Sequence, residues 1–239
     1  MTTYAELTVG ELARGIRGAT RIFERNGIDY CCGGGTSLAD ACSSAGIALD
    51  GVLVELRGLE GGPNAGAPPD ATSMSLTELV AHIVDTHHVY TTTELARLGR
   101  LVTKVVDAHG DRHPELHDIA RLFDSLRDDL LPHLFKEENV LFPYVVELDR
   151  ASRSNRAARM APFGTVHHPI EMMMREHDTA GDLLRALRTT SGDYRAPVDA
   201  CGSYRALYEG LADLERDLHE HIHLENNVLF PKAIEIEER

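Results

Sequence analysis

The sequence predicts an all-α protein in which a small helical domain precedes an up-down four-helix bundle. Apolar residues recur at spacings of three and four through most of the 239 residues, and stretches typical of strands are scarce. The segment GGPNAGAPPDATS at 61–73 has the composition of a linker. We therefore expect a cysteine-containing helical domain at 1–60, a linker at 61–73 and a bundle at 74–239.

The N-terminal domain is expected to hold roughly three short helices. Thr8 and Glu11 match a capping box at the first of them, and Thr36 or Ser37 can cap another after a run of glycines. Glycines around 58–62 end the unit.

Four long helices are expected in the bundle, at 75–106, 115–148, 169–188 and 197–235. Ser75 followed by Glu78 fits a capped start of the first, and Pro114 lies near the start of the second. Three prolines fall inside the second and fourth helices, where each should kink or end the helix. They are Pro132, Pro143 and Pro231.

Composition excludes several classes of partner. The formal net charge is −14 with no basic run, which argues against nucleic acid and anionic membrane surfaces. The start of the chain lacks the pattern of a secretion signal, no apolar run is long enough for a membrane span, and four cysteines are too few for a disulfide framework. A cytoplasmic location is expected. Thirteen histidines make metal binding the first hypothesis.

A repeated motif carries the predicted chemistry. HLFKEENVLFP at 133–143 and HIHLENNVLFP at 221–231 share seven of eleven residues. A further histidine precedes each copy by nearly the same distance: His88 lies 45 residues before His133, and His177 lies 44 before His221. The repeating unit is therefore a pair of helices.

Within each copy the histidine and glutamate are four residues apart, so they project from one helix face beside Val, Leu and Phe. Burying both groups without a partner costs several kcal/mol per group, and a metal supplies that partner. The duplication predicts two metals, each with two imidazoles, bridged by two carboxylates. The predicted ligands are His88, His133, Glu137, His177, His221 and Glu225.

Imidazole and carboxylate ligands favour iron or manganese over a structural zinc. An incomplete coordination shell would allow binding of oxygen, nitric oxide or peroxide, or release of a labile iron. The repeat register selects His88 over its neighbour His87, and which imidazoles share a metal stays open. The other histidines are expected to be surface or hydrogen-bonded residues: His82, His87, His109, His113, His117, His167, His168, His219 and His223.

The stretch DYCCGGG at 29–35 contains Cys31 and Cys32. Adjacent cysteines do not readily close a relaxed disulfide and lack the CxxC spacing of redox or zinc pairs. Gly33 to Gly35 are expected to turn the backbone with positive φ and lead into a helix whose dipole lowers a nearby thiol pKa. An activated thiol pair and a structural turn are equally compatible with this chemistry. Cys42 and Cys201 are expected to be buried.

The combination of DYCCGGG, HLFKEENVLFP, EHDTAG and HIHLENNVLFP resembles the RIC family, the di-iron "repair of iron centres" proteins, over nearly the whole chain. The resemblance implies a haemerythrin-like bundle with a non-haem di-iron centre, oxo- and carboxylate-bridged. His88, His133, His177 and His221 would be terminal ligands, and Glu137 and Glu225 would be the bridges. It also implies a role for the cysteine pair. Reversible oxygen carriage is not expected, because haemerythrin uses a fifth histidine for which the sequence offers no clear equivalent.

Three functions are compatible with these features. The leading hypothesis is repair of iron-sulfur clusters damaged by nitrosative or oxidative stress, with iron donated to client proteins and Cys31 or Cys32 relaying iron or electrons. The alternatives are a di-iron nitric oxide or peroxide reductase, and an oxygen or nitric oxide sensor. The sequence specifies neither the clients nor the oligomeric state.

Overall fold

The computed structural model describes residues 3–16, 18–59 and 71–239, and it confirms the predicted all-α class. Within these ranges extended backbone pairs only at two isolated bridges, Thr8 with Ser37 and Ala161 with Gly164. Residues 61–70 of the predicted linker at 61–73 lie outside the described residues, and the rest, Ala71–Ser73, forms a short 3-10 turn.

The N-terminal domain contains four short helices, one more than expected. They are α1 Val9–Gly15, α2 Ala19–Arg25, α3 Leu38–Ala45 and α4 Leu49–Gly58. The capping box of Thr8 and Glu11 is present, and Ser37 rather than Thr36 caps α3. A separate apolar cluster, which includes Phe23 and Leu56, fills the centre of this domain.

The bundle consists of four helical rods, three of them interrupted by a five-residue π-helical segment. The first rod consists of α5 Leu76–Ile83, a π segment Val84–His88 and α6 Val89–His109. The second consists of α7 Glu115–Lys136, a π segment Glu137–Leu141 and α8 Phe142–Arg153, and the third is the single helix α9 His167–Thr190. The fourth consists of α10 Gly202–Leu224, a π segment Glu225–Leu229 and α11 Phe230–Glu237. These rods match the four predicted helices to within a few residues at most ends. The capping box at Ser75 and Glu78 is also present.

The π segments explain two of the three prolines. Pro143 and Pro231 each occupy the first turn of the helix that comes after a π segment. There the backbone N–H of Phe142 or Phe230 bonds the fifth preceding carbonyl, so the α ladder is already interrupted where the proline lacks its donor. Pro132 remains inside α7, so the helix does not end there.

Two apolar clusters fill the bundle and leave a polar layer between them. One cluster contains Leu95, Leu130 and Leu218, and the other contains Ile83, Leu141 and Leu224. Along each rod the predicted ligands fall between residues of the two clusters. The sequence therefore places polar side chains in the interior, with apolar packing above and below them.

Candidate metal centre

The structure brings all six predicted ligand side chains together in the polar layer. Their donor atoms form two groups, each within 4.8 Å, that could hold a metal ion: His88, Glu137, His221 and Glu225 in one, and His133, Glu137, His177 and Glu225 in the other. Both glutamates belong to both groups. This arrangement pairs His88 with His221 and His133 with His177, which the sequence had left open.

The distances are short and the groups lie out of solvent. The Nε2 atoms of His88 and His221 are 3.2 Å apart, and those of His133 and His177 are 3.1 Å apart. Glu137 and Glu225 are fully buried. Both carboxylate oxygens of Glu137 and Oε2 of Glu225 have no hydrogen-bond partner. Glu137 Oε2 lies 3.3 Å from His133 Nε2, and Glu225 Oε2 lies 3.1 Å from His177 Nε2. Buried carboxylates that converge with imidazole nitrogens in this way fit a metal centre.

The π segments coincide with the polar layer. Glu137 and Glu225 are the first residues of their π segments, and His88 is the last residue of its own. A π segment inserts one residue into the helix and so rotates the rest of the rod by about 100° relative to a continuous α-helix. A rod can therefore direct its ligands inward and still face the apolar core after the insertion.

Three of the four histidines are held from outside through Nδ1. His88 lies 2.8 Å from Glu138 Oε1, and His133 lies 2.8 Å from Glu176 Oε2. His177 lies 2.9 Å from Asn226 Oδ1. Such outer partners fix the ring and direct Nε2 towards the metal. Sequence reasoning missed all three acceptors. Each of them is a polar residue directly adjacent to a predicted ligand in the sequence, and this adjacency could have indicated them.

The carboxylates shape the electrostatics of the layer. Burial alone would lower the pKa of His133, but Glu137, Glu225 and Glu176 outweigh it and raise the pKa to about 9. Burial opposes ionisation of Glu225, yet His221 and His177 hold its pKa well below its ordinary value. Burial lowers the pKa of His88, and His221 acts in the same direction. The site thus favours a charged carboxylate among imidazoles.

His87 lies next to the site but belongs to neither group. Its Nδ1 is 3.0 Å from Asp217 Oδ1, and its ring stacks on that of His221 at a centroid distance of 5.5 Å. Like His87, His109 and His223 are buried, and both have hydrogen-bond partners. These placements match the expectation for histidines outside the ligand set.

One of the two imidazole pairs borders an open cavity. A pocket of about 250 Å³ is lined by His133 and His177. Lys136 and Glu176, which form an ion pair, also line it. The pair His88 and His221 lines neither this pocket nor the larger cleft between the N-terminal domain and the bundle.

The cysteine pair lies in that larger cleft, which has a volume of about 540 Å³. The Sγ atoms of Cys31 and Cys32 are 4.0 Å apart, and neither is in a disulfide. The thiol of Cys32 donates to the carbonyl of His177 at 3.4 Å. Asp29 Oδ1 lies 3.3 Å from Cys31 Sγ, and these three side chains form a third group that could hold a metal. The pair thus contacts the helix that carries a predicted ligand.

Two expectations about this stretch are wrong. Gly33 to Gly35 do not adopt positive φ; instead, Gly34 packs so closely that a Cβ would lie 2.7 Å from Asn227 Oδ1. The pKa of Cys31 is raised well above its ordinary value, by its hydrogen bond with Cys32 and by burial. The next helix starts only at Leu38, too far along the chain to activate this thiol.

Asn227 joins the N-terminal domain to the ligand-bearing π segment. Its side chain donates to the carbonyls of Tyr30 and Cys31 at 3.4 and 3.5 Å, and its own carbonyl accepts from Arg14 at 2.6 Å. It lies two residues after Glu225. The cysteine pair and the polar layer are therefore connected through one backbone segment.

Of the remaining cysteines, Cys42 is buried as expected, and Cys201 is not. Cys201 is exposed at the N-terminus of α10, 3.2 Å from Nε2 of His109. The backbone N–H of Tyr204 lowers the pKa of this thiol. The prediction that Cys201 is buried is wrong, because the residue precedes α10 instead of lying on its inner face.

Comparison with known proteins matches two domain families to this chain. Residues 79–233 match the hemerythrin HHE cation binding domain, and residues 5–60 match a domain of unknown function, DUF542. No helix among the described residues is long and apolar enough to cross a membrane.

Curated relatives cover nearly the full length. The chain is 33% identical to the probable iron-sulfur cluster repair protein of Haemophilus influenzae over 232 residues, which is 97% of this chain and 98% of that protein. It is 36% identical over 232 residues to the iron-sulfur cluster repair protein YtfE of Edwardsiella ictaluri, and 34% identical over 231 residues to that of Escherichia coli, in each case over 97% of this chain and 98% of the relative. The chain therefore belongs to the iron-sulfur cluster repair protein family, with a hemerythrin HHE domain as its bundle.

Proposed function

We propose that this protein repairs damaged iron-sulfur clusters by supplying iron from a two-iron site in the bundle. The observation that carries the proposal is the pair of overlapping donor groups that share two fully buried carboxylates. Family membership supports the same conclusion, because the matched relatives are named iron-sulfur cluster repair proteins.

In the proposed site His88 and His221 bind one iron, and His133 and His177 bind the other. Glu137 and Glu225 bridge the two, because each belongs to both groups. A solvent-derived oxo bridge would complete the link between them. Imidazole and carboxylate ligands hold ferrous iron less tightly than thiolates do, which suits an ion that must leave.

We further propose that Cys31 and Cys32 relay the cargo iron between the bundle and the client. Asp29 and the two thiols together could hold a cation, and they line the cleft between the domains. Raised pKa at Cys31 keeps this thiol protonated until a cation arrives. The small domain at 1–60 carries both thiols and would present them to a client.

The proposed clients are iron-sulfur proteins damaged by nitric oxide or oxidants in the cytoplasm. An incomplete coordination shell would also allow nitric oxide or oxygen to bind at the iron site. These small ligands would act on the iron held by the bundle, and the cysteine pair would remain the contact with the protein client.

The function is tested by loading the purified protein anaerobically with ⁵⁷Fe and mixing it with a nitric oxide-damaged [4Fe–4S] enzyme. Mössbauer spectra of the re-isolated enzyme should contain ⁵⁷Fe in the cluster, and activity should return in parallel. Recovery without ⁵⁷Fe in the cluster, or sustained nitric oxide consumption with all ⁵⁷Fe retained, would contradict donation and favour a reductase.

Two variants separate the parts of this proposal. Glu137→Ala should abolish both iron loading and repair, and Glu171→Ala, which removes an exposed glutamate of α9, should resemble the parent. The double variant Cys31→Ser/Cys32→Ser should load iron normally but repair slowly. Normal repair by the double variant would rule out the relay and leave the donor site intact.

A further inference from the structure

His221 differs from the other three histidines of the metal centre in its outer hydrogen bond. The Nδ1 atoms of His88, His133 and His177 each face a side-chain oxygen. Nδ1 of His221 is buried and has no partner. An imidazole that binds a metal through Nε2 carries its proton on Nδ1, and a buried N–H without an acceptor is costly. The fourth histidine therefore lacks an acceptor that a bound metal would require.

One helical turn from His221, a buried carboxylate oxygen of Asp217 also lacks a hydrogen-bond partner. Asp217 precedes His221 by four residues on α10, so both side chains share a face. Helical side chains lean towards the N-terminus, which carries the ring of His221 over the turn that contains Asp217. Oδ1 of Asp217 is taken by His87, but Oδ2 is buried and has no partner.

The internal repeat explains why only this histidine is incomplete. Glu176 and His87 occupy equivalent positions, each immediately before a predicted ligand. At the first of these two positions, Glu176 accepts a hydrogen bond from Nδ1 of His133. His87 has no carboxylate to offer; its ring stacks on that of His221 with an interplanar angle of 8°. The second half of the repeat therefore needs a different acceptor for His221, and Oδ2 of Asp217 is a buried oxygen without a partner.

We propose that Asp217 is the positioning residue of His221. With a metal at Nε2, Oδ2 of Asp217 accepts the Nδ1–H of His221 while Oδ1 keeps its bond to His87. The inference rests on the proposed two-metal site and adds an asymmetry to it: the metal position of His88 and His221 depends on Asp217, and the position of His133 and His177 does not.

The test titrates Co²⁺ into the metal-free full-length protein without oxygen and fits two binding steps by absorption and calorimetry. Removal of an outer partner typically weakens metal binding about 10- to 100-fold. Asp217→Ala should show that loss at one of the two steps only, and Asp217→Asn, which retains an acceptor oxygen, a smaller loss. Asp213→Asn removes the same charge from an exposed site on α10 and should bind like the parent.

A second readout observes the hydrogen bond itself. In ¹⁵N-histidine spectra of the Zn²⁺-loaded protein, the Nδ1–H of His221 should be protected from exchange in the parent and lose protection in Asp217→Ala. His87→Phe keeps a ring against His221 and leaves Asp217 in place, so it should retain both binding steps.

Several results would overturn the proposal. Parent-like binding by Asp217→Ala would do so, as would equal weakening of both steps, which would indicate damage to the fold. A loss in His87→Phe as large as in Asp217→Ala would mean that Asp217 serves only to hold His87. Fewer than two Co²⁺ ions in the parent would refute the two-metal site itself, and the inference with it.

Discussion

At the residue scale, the side chains that the repeat selected are the ones that the fold brings together. Histidine and glutamate four apart on a helix had to share a face, and duplication had to place the two faces opposite each other. The outer acceptors Glu138, Glu176 and Asn226 could not be selected in this way, because their roles depend on which neighbouring rod they meet. The free oxygen of Asp217 likewise becomes visible only in three dimensions.

Thiol reactivity provides a residue-scale prediction. With limiting iodoacetamide at neutral pH, Cys201 should be alkylated at least about tenfold faster than Cys31 and Cys42. Cys201 is exposed with a lowered pKa, whereas Cys31 and Cys42 are buried with raised pKa values. Peptide mass spectrometry at short times measures the order, and all four thiols should react alike in denaturant. Early modification of Cys31 or Cys42 in the folded protein would contradict their burial.

At the element scale, periodicity predicted the rods well and their interruptions poorly. Apolar spacing cannot show an inserted π residue, since the pattern on each side of it is still helical. Pro143 and Pro231 were the only local indication, and they mark helix starts that come after π segments. Capping boxes at Thr8 and Ser75 could be predicted because both partners lie within one turn.

A pH dependence is expected where the loop before α7 meets the start of α10. The hydrogen bond that His113 donates to Asp199 raises the pKa of His113 and lowers the pKa of Asp199. Stability from this pair should therefore be present below the ordinary histidine pKa of about 6.5, fade as pH rises through the raised value, and fade again as Asp199 is protonated in acid.

The measurement compares thermal unfolding of the parent and His113→Gln between pH 4 and pH 9. The midpoint difference should be small, on the order of 1 °C, because the pair is near the surface, and it should be largest at mildly acidic pH. His117→Gln, at an exposed histidine of α7, serves as the control. A difference that grows towards alkaline pH would contradict the assigned direction.

At the scale of the whole molecule, the two domains meet beside the candidate metal centre. The N-terminal domain contacts the π segment of the fourth rod through Asn227, and Cys32 contacts the carbonyl of His177. The sequence indicated two units and a linker, but it contained no information on their docking. Such contacts depend on surface fit between elements that are distant along the chain.

Docking can be tested with neighbouring glycines. A Cβ at Gly34 would lie 2.7 Å from Asn227 and 2.9 Å from the carbonyl of Tyr30, whereas a Cβ at Gly35 meets nothing within 4 Å. Gly34→Ala should therefore loosen the interface and destabilise the protein by about 1–3 kcal/mol. Hydrogen exchange should rise in α1 and at Asn227, and Gly35→Ala should exchange like the parent. Equal exchange in both variants would show that the glycine contact does not hold the domains together.

Six buried side chains of the bundle are proposed to bind two iron ions. Anaerobic titration of the metal-free protein with Fe²⁺, followed by Mössbauer spectra of the oxidised product, tests this proposal most directly. Two irons per chain in an antiferromagnetically coupled pair are expected for the parent, and loss of the coupled pair is expected for Glu137→Ala. One iron per chain, or a coupled pair that persists in Glu137→Ala, would refute the proposed two-iron site.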